Sequence, residues 1–197
     1  MSALPKPNKP NMTVDEFVEW CAARDDDERW ELVDGVPVRM MAPQTPRHTD
    51  AKGFIWNEFR RAIATAGLSC RAFLDGVGTK IGEYTSRIPD VSVQCEPMDD
   101  DAVWLTAPIV LVEVVSRGSV TRDGRDKLIE YFGLPSVEHY LLVYPERRTV
   151  VHHQRKASSR DIATRIVEEG EIELSPPGFS VVVSSFFEDE TFRPSTI

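Results

Sequence analysis

The chain has 197 residues, 41% hydrophobic and 28% charged, a balance typical of a soluble globular protein with a buried core. Its formal net charge of −9 argues against a protein held to nucleic acid by bulk electrostatics alone. No apolar stretch is long enough to span a bilayer, and the N-terminus lacks the apolar segment of a secretory signal. Three widely spaced cysteines favour neither a disulfide framework nor a zinc ribbon, so we expect a cytoplasmic protein.

The composition changes at both ends of the chain. Residues 1–11 are rich in Pro, Asn and Lys, which predicts a flexible arm. Residues 188–197 begin with three consecutive acids and predict an acidic C-terminal tail. A single domain is therefore expected over residues 12–187.

The first predicted elements are a helix and a β-hairpin. Thr13 and Glu16 have the spacing of a capping box, which predicts a helix from there to about residue 24. Two strand-like runs, over 30–33 and 36–40, flank Asp34-Gly35, a dipeptide that readily adopts the positive φ angles of a tight turn.

The remaining elements alternate between helix and strand patterns. Apolar residues recur at helical spacing over 48–66 and stop at Gly67. A second helix is predicted over 123–132. Strands are predicted over 69–74, 77–81, 90–95, 109–115, 139–144, 149–154, 163–168 and 180–186. This order indicates one α/β or α+β domain, with a mixed central β-sheet flanked by helices.

Two acidic residues stand where packing alone does not call for them. Glu113 interrupts a strand whose apolar residues lie on both faces, and an unpaired buried carboxylate costs several kcal/mol. Asp90 opens the preceding strand after Pro89. If the two strands lie side by side, both carboxylates converge at one point, where they suit Mg²⁺ or Mn²⁺. Alternatively, Asp90 is a strand-entry residue and Glu113 belongs to a core ion pair.

The second helix supplies a cation that can reach these acids. Lys127 and Tyr131 are four residues apart and share one helical face. A lysine beside a metal-bound water can stabilise the charge that develops on an attacked phosphate. The plainer alternative is an ordinary amphipathic helix.

Basic residues concentrate in one part of the chain. Residues 114–160 carry a formal charge of +4, and Arg117, Arg122 and Arg125 are the candidates there for phosphate contacts. His48, at the start of the long helix, is a further candidate for contacting a phosphate. A solvated surface and a local helix-capping histidine are the alternatives.

Five segments in this order carry a family resemblance: Trp30-Glu-Leu-Val-Asp-Gly35, His48 opening a helix, Arg87-Ile-Pro-Asp-Val-Ser-Val93, Pro108-Ile-Val-Leu-Val-Glu-Val-Val-Ser116 and Asp123-x3-Lys127-x3-Tyr131-x-Gly133. Together they resemble the Uma2 (DUF820) family of PD-(D/E)xK superfamily endonucleases, over roughly residues 12–187. The resemblance implies a restriction-endonuclease-like core preceded by the N-terminal helix and hairpin.

The resemblance also implies roles for individual residues. Asp90 matches the Asp of the PD motif, Glu113 matches the Glu of the ExK half-motif, and Glu31 matches an acid often found near the site. Val115 stands where the lysine of ExK is expected.

The resemblance suggests that Lys127 replaces that lysine from the helix, and Tyr131 resembles the Tyr of a QxxxY element in related nucleases. We therefore expect a Mg²⁺- or Mn²⁺-dependent DNA endonuclease that acts as a homodimer. The alternative is an inactive nuclease-fold protein that binds nucleic acid or dimerises as an interaction module.

Overall fold

The structure, a computed structural model, describes residues 12–24, 28–40, 44–115, 123–156 and 161–188. The predicted N-terminal arm and all but the first residue of the predicted C-terminal tail lie outside the described residues. In chain order the elements are α1 (Val14–Ala22), β1 (Trp30–Val33), β2 (Val36–Arg39), α2 (Pro46–Thr65), β3 (Arg71–Leu74), β4 (Gly78–Lys80), β5 (Ser86–Arg87), β6 (Val91–Gln94), β7 (Trp104–Leu105), β8 (Pro108–Val114), α3 (Asp123–Gly133), β9 (His139–Tyr144), β10 (Thr149–Arg155), β11 (Ile162–Val167), β12 (Glu171–Leu174), β13 (Phe179–Val182) and a 3₁₀ helix (Val183–Phe186).

The described residues form two compact units, of which the first contains those up to residue 40 together with Lys80–Arg87. The predicted capping box is present here: the Thr13 hydroxyl accepts the Glu16 N–H, and the Thr13 N–H donates to the Glu16 carboxylate at 2.8 Å. The predicted hairpin forms from β1 and β2, and β1 also pairs antiparallel with β5. Asp34 and Gly35 have φ angles of 49° and 73°, as its tight turn requires.

The second unit contains a six-stranded mixed sheet in the order β11-β10-β9-β8-β6-β3. All neighbours are antiparallel except β8 and β9, which are parallel. The mixed α/β class predicted from the sequence is confirmed. The apolar stripe of α2, with Ile55 and Phe59 fully buried, packs in one core with β6, β8, β13 and the 3₁₀ helix.

Three features of the fold differ from the sequence-based prediction. The predicted strand over 180–186 ends at Val182, and the chain continues as a 3₁₀ helix. Because that helix has three residues per turn, Val183 and Phe186 lie on the same side, and both are buried. Strand β12, which pairs with β13, was not predicted, and neither were the two-residue strands β5 and β7.

Cys70 and Cys95 form a disulfide, which corrects the expectation drawn from the cysteine count. Strands β3 and β6 pair with Arg71 opposite Gln94, so the next position of that register brings the two cysteines together. A cross-strand pair of this kind cannot be recognised from the spacing of the cysteines in the sequence, because it depends on how the two strands pair. The cysteine count therefore gives no support for a reducing compartment. Within the described residues, no helix has both the length and the apolar character that a membrane span needs.

A pair of buried histidines lies in the same sheet. His139 on β9 and His152 on β10 are fully buried, with Nδ1 of His139 2.9 Å from Nε2 of His152. Burial lowers the pKa of His139 to about 4 and that of His152 to about 3. Both rings are therefore neutral in the folded protein at neutral pH.

These histidines predict that the protein loses stability in mild acid. An unfolded histidine has a pKa near 6.5, so below that pH the unfolded state binds protons that the folded state excludes. Between pH 7 and pH 5 the free energy of unfolding should fall by about 1–2 kcal/mol for each of the two. Urea unfolding at both pH values measures this, and His152→Gln should weaken the dependence. Equal free energies at both values would contradict the prediction.

Candidate active site

The pairing of β6 with β8 places two carboxylates opposite each other. Val91 lies opposite Val112 in this antiparallel pair, so the next position of the register sets Asp90 opposite Glu113. The backbone N–H of Val114 donates to Oδ2 of Asp90 at 2.7 Å and holds that carboxylate against β8. Asp90 is 7% exposed, so its orientation is set by the protein and not by solvent.

Helix α3 delivers two side chains to the second carboxylate. Lys127 Nζ lies 2.9 Å from Oε1 of Glu113, and the Tyr131 hydroxyl donates to the same oxygen at 2.7 Å. The two residues are one turn apart on α3 and both are buried, with the Tyr131 ring packed edge-on against Tyr140. Because residues one turn apart lie on the same face of a helix, the lysine and the tyrosine hydroxyl both contact Glu113.

Helix α2 delivers a second lysine, Lys52, to the first carboxylate. Its Nζ lies 2.6 Å from Oδ1 of Asp90 and 3.0 Å from Oδ1 of Asp75. Asp75 occupies the position after β3, and its N–H donates to the Asp90 carbonyl at 3.0 Å. Asp75, Asp90 and Glu113 thus form a row across three neighbouring strands, which we call the carboxylate row.

His48 lies one turn before Lys52 on α2, which begins after the capping residue Thr45. Its Nε2 is 4.0 Å from Oδ2 of Asp90, and the residue is 9% exposed. Neither ring nitrogen has a hydrogen-bond partner among the described residues. Burial lowers the pKa of His48, while the nearby Asp90 carboxylate raises it in part. An imidazole whose two nitrogens have no hydrogen-bond partner among the described residues therefore faces Asp90.

The other predicted site residues belong to the first unit, lie on the surface of α3, or fall outside the described residues. Glu31 is buried on β1 in the first unit, where its carboxylate is 3.0 Å from the Arg87 guanidinium. Arg125 is exposed on α3, and Arg117 and Arg122 lie outside the described residues. The predicted roles of these residues stay predictions.

The family model described as Uma2, putative restriction endonuclease, matches residues 14–185. The chain belongs to the Uma2 family. The structure is also similar to the crystal structure of a putative nuclease belonging to DUF820 from Anabaena variabilis ATCC 29413. That match has a TM-score of 0.68 and 19% sequence identity, and it covers 89% of this chain and 97% of the other. No curated protein matches the chain.

In this Uma2 protein, Val115 occupies the position at which the resemblance leads us to expect a lysine. It follows Glu113 by two residues in extended chain, its N–H donates to the Val143 carbonyl at 2.8 Å, and it is half-buried. The site nevertheless contains lysines, because Lys127 and Lys52 both reach it from helices.

Lys52 and Asp75 were not predicted as site residues. Their signals are visible in hindsight: Lys52 precedes Ile55 and Phe59 by three and seven residues, so it lies on the buried stripe of α2. A charged residue on such a stripe needs a partner. Asp75 is followed by Gly76 and has the positive φ of a turn residue. The sequence therefore indicates a turn at this position and gives no sign of the contact with Lys52.

The donor set fits a hard divalent cation. Asp90 and Glu113 offer carboxylate oxygens, the ligands that Mg²⁺ and Mn²⁺ prefer, and Mg²⁺ commonly keeps several waters beside one or two carboxylates. Among the described residues, no group of three or more His, Cys, Asp or Glu side chains is arranged to hold a metal ion. Asp90 and Glu113 are two carboxylates that could hold such an ion, which would then need water to complete its shell.

The contact between Lys127 and Glu113 predicts a strong energetic coupling. Their side chains are 8% and 13% exposed, so removing one charge leaves the other poorly solvated. In a double-mutant cycle with Lys127→Met and Glu113→Gln, urea unfolding should give a coupling energy of about 1–3 kcal/mol.

The exposed pair of Lys80 and Asp15, with side chains 43% and 87% exposed, is the matched control. Its cycle should give less than about 1 kcal/mol. Equal coupling energies in the two cycles would show that burial does not strengthen the pair of Lys127 and Glu113.

Proposed function

We propose that this Uma2 protein is a metal-dependent phosphodiesterase, a DNA endonuclease that cleaves with an activated water. The observation that carries the proposal is the register of β6 against β8, which sets Asp90 opposite Glu113 beside two buried lysines. When bound, Mg²⁺ or Mn²⁺ would polarise the scissile phosphate and lower the pKa of a bound water.

The chain's own residues divide the remaining work. Asp90 and Glu113 would hold the ion, and the Val114 N–H fixes the orientation of Asp90. Lys127 neutralises Glu113 in the resting site and would stabilise negative charge on the attacked phosphate. The Tyr131 hydroxyl keeps Glu113 oriented toward the site. The ring nitrogens of His48, which have no hydrogen-bond partner among the described residues, could contact a phosphate or the attacking water.

The proposed partner is DNA, bound through its phosphates. Basic residues supply such contacts without reading sequence. Arg125 on α3, and Arg147 and Arg148 between β9 and β10, are exposed. The proposal includes the homodimer expected from the sequence, because two copies can cut both strands of a duplex. The expected cytoplasmic location stays a prediction.

The second candidate function is that of a nuclease-fold protein without catalytic activity. The valine at position 115 and the net charge of −9 both favour it. Such a protein would bind nucleic acid or a second copy of itself without needing Asp90 for chemistry.

A plasmid-cleavage assay distinguishes the two candidates. The wild type should nick or linearise supercoiled plasmid with Mg²⁺ or Mn²⁺ and not with EDTA. Asp90→Asn should lower the rate roughly a hundredfold or more, because it removes a charged ligand while preserving shape. Asp100→Asn, an exposed acid with an 87% exposed side chain, is the matched control and should cleave like the wild type.

Two results would contradict the catalytic proposal. One is an intact plasmid under every metal condition, together with retained DNA binding by Asp90→Asn. The other is cleavage that Asp90→Asn leaves unchanged. Single-stranded DNA run in parallel reports strandedness.

Moving the lysine from position 127 to position 115 tests whether Lys127 replaces the lysine missing at position 115. Lys127→Met should lower cleavage at least tenfold, because it removes charge stabilisation from the phosphate. Val115→Lys in that background restores a cation two residues after Glu113, on the same side of the extended strand. We expect partial recovery of the single-turnover rate, with Val115→Lys alone as the control. If Lys127→Met cleaves at the wild-type rate, Lys127 has no catalytic role.

A further inference from the structure

Lys52 is a buried cation that the proposed mechanism does not use. It is 3% exposed, and it lies on the buried face of α2 together with apolar residues, His48 and Glu58. Burying an ammonium costs several kcal/mol unless it is paired and hydrogen-bonded. Its contacts at 2.6 Å to Asp90 and 3.0 Å to Asp75 provide that compensation.

The position of Lys52 links it to the cation chemistry of the site. Asp90 is the middle member of the carboxylate row, between Asp75 and Glu113. Its contact with Lys52 is shorter than the contact between Lys52 and Asp75. Any cation held by Asp90 therefore shares that carboxylate with an ammonium already in place.

The formal charge of the site depends on Lys52. The carboxylate row contributes three negative charges, and Lys52 and Lys127 contribute two positive ones. The formal charge over these five side chains is −1. Without Lys52 it becomes −2, which attracts a divalent cation more strongly in a poorly solvated site.

We propose that Lys52 is the built-in counter-cation of the carboxylate row, and that its charge sets the affinity of Asp90 and Glu113 for divalent metal. It stabilises Asp75 and Asp90 when no metal is bound and weakens metal binding at Asp90. Lys52 is thus a positioning residue, since it acts through Asp90. This inference rests on the proposed function, because it takes the Asp90–Glu113 pair as the metal site.

Titration of the full chain with Mn²⁺ by calorimetry tests the inference without relying on activity. Lys52→Met removes the charge and keeps most of the aliphatic chain. We expect its Mn²⁺ dissociation constant to be roughly tenfold lower than that of the wild type. Lys80→Met, which removes an exposed lysine paired with Asp15, is the control and should match the wild type. An unchanged or weaker affinity in Lys52→Met would overturn the inference.

The melting temperature, measured with and without Mn²⁺, provides a second readout. If Lys52 had only a structural role, Mn²⁺ would stabilise Lys52→Met and the wild type equally. In EDTA, Lys52→Met should melt below the wild type, because Asp75 and Asp90 then repel each other. Mn²⁺ should raise its melting temperature by more than it raises that of the wild type. A shift no larger than that of the wild type would count against the inference.

The double variant Lys52→Met with Asp75→Asn covers the case in which Lys52→Met does not fold. It removes one charge of each sign, so its Mn²⁺ affinity should lie within about threefold of the wild type. An affinity tenfold away from the wild type in either direction would overturn the charge account.

Failure of the inference is distinguishable from failure of the proposed function. If the wild type binds Mn²⁺ and Asp90→Asn does not, the metal site stands, and an unchanged Lys52→Met overturns the inference alone. If neither the wild type nor Lys52→Met binds Mn²⁺, both are overturned. Binding by Lys52→Met alone would support the charge effect of Lys52 and contradict the proposed function, because the wild type would then not hold the metal.

Discussion

The register of β6 against β8 is the constraint on which the rest of the site depends. Pairing Val91 with Val112 sets Asp90 opposite Glu113, and the Val114 N–H locks the Asp90 carboxylate in place. Because side chains alternate across a strand, a slip of one residue would send one of the two acids to the other face of the sheet. The hydrophobic pattern that buries β6 and β8 therefore also fixes the geometry of the acids.

Two carboxylates that lie opposite each other in a poorly solvated site repel each other. In this fold, each of the two is paired with a lysine from a different helix. Helix α3 brings Lys127 to Glu113, and helix α2 brings Lys52 to Asp90. Each lysine has a second group from its own helix one turn away, Tyr131 on α3 and His48 on α2. The resting protein thereby holds both acids in place, which preorganises them for a cation. The same lysines make metal binding a competition between cations.

Much of this arrangement could be predicted from the sequence, because it depends on local periodicity. The interrupted apolar strand indicated Glu113 as a buried acid, and the four-residue spacing predicted that Lys127 and Tyr131 share a face. What escaped prediction depends on contacts between distant segments. Lys52 meets Asp90 across 38 positions of chain, and the disulfide joins cysteines 25 residues apart through a cross-strand pair. Neither periodicity nor residue counts encode such a register.

A crystal grown with Mn²⁺ and measured at the manganese absorption edge tests the central claim most directly. The account predicts an anomalous difference peak bonded to carboxylate oxygens of Asp90 and Glu113, at the roughly 2.1–2.2 Å expected for hard oxygen ligands. The remaining ligands should be waters, with Lys127 still beside Glu113. A map with no peak at these two residues, or with the ion at another site, would contradict the account.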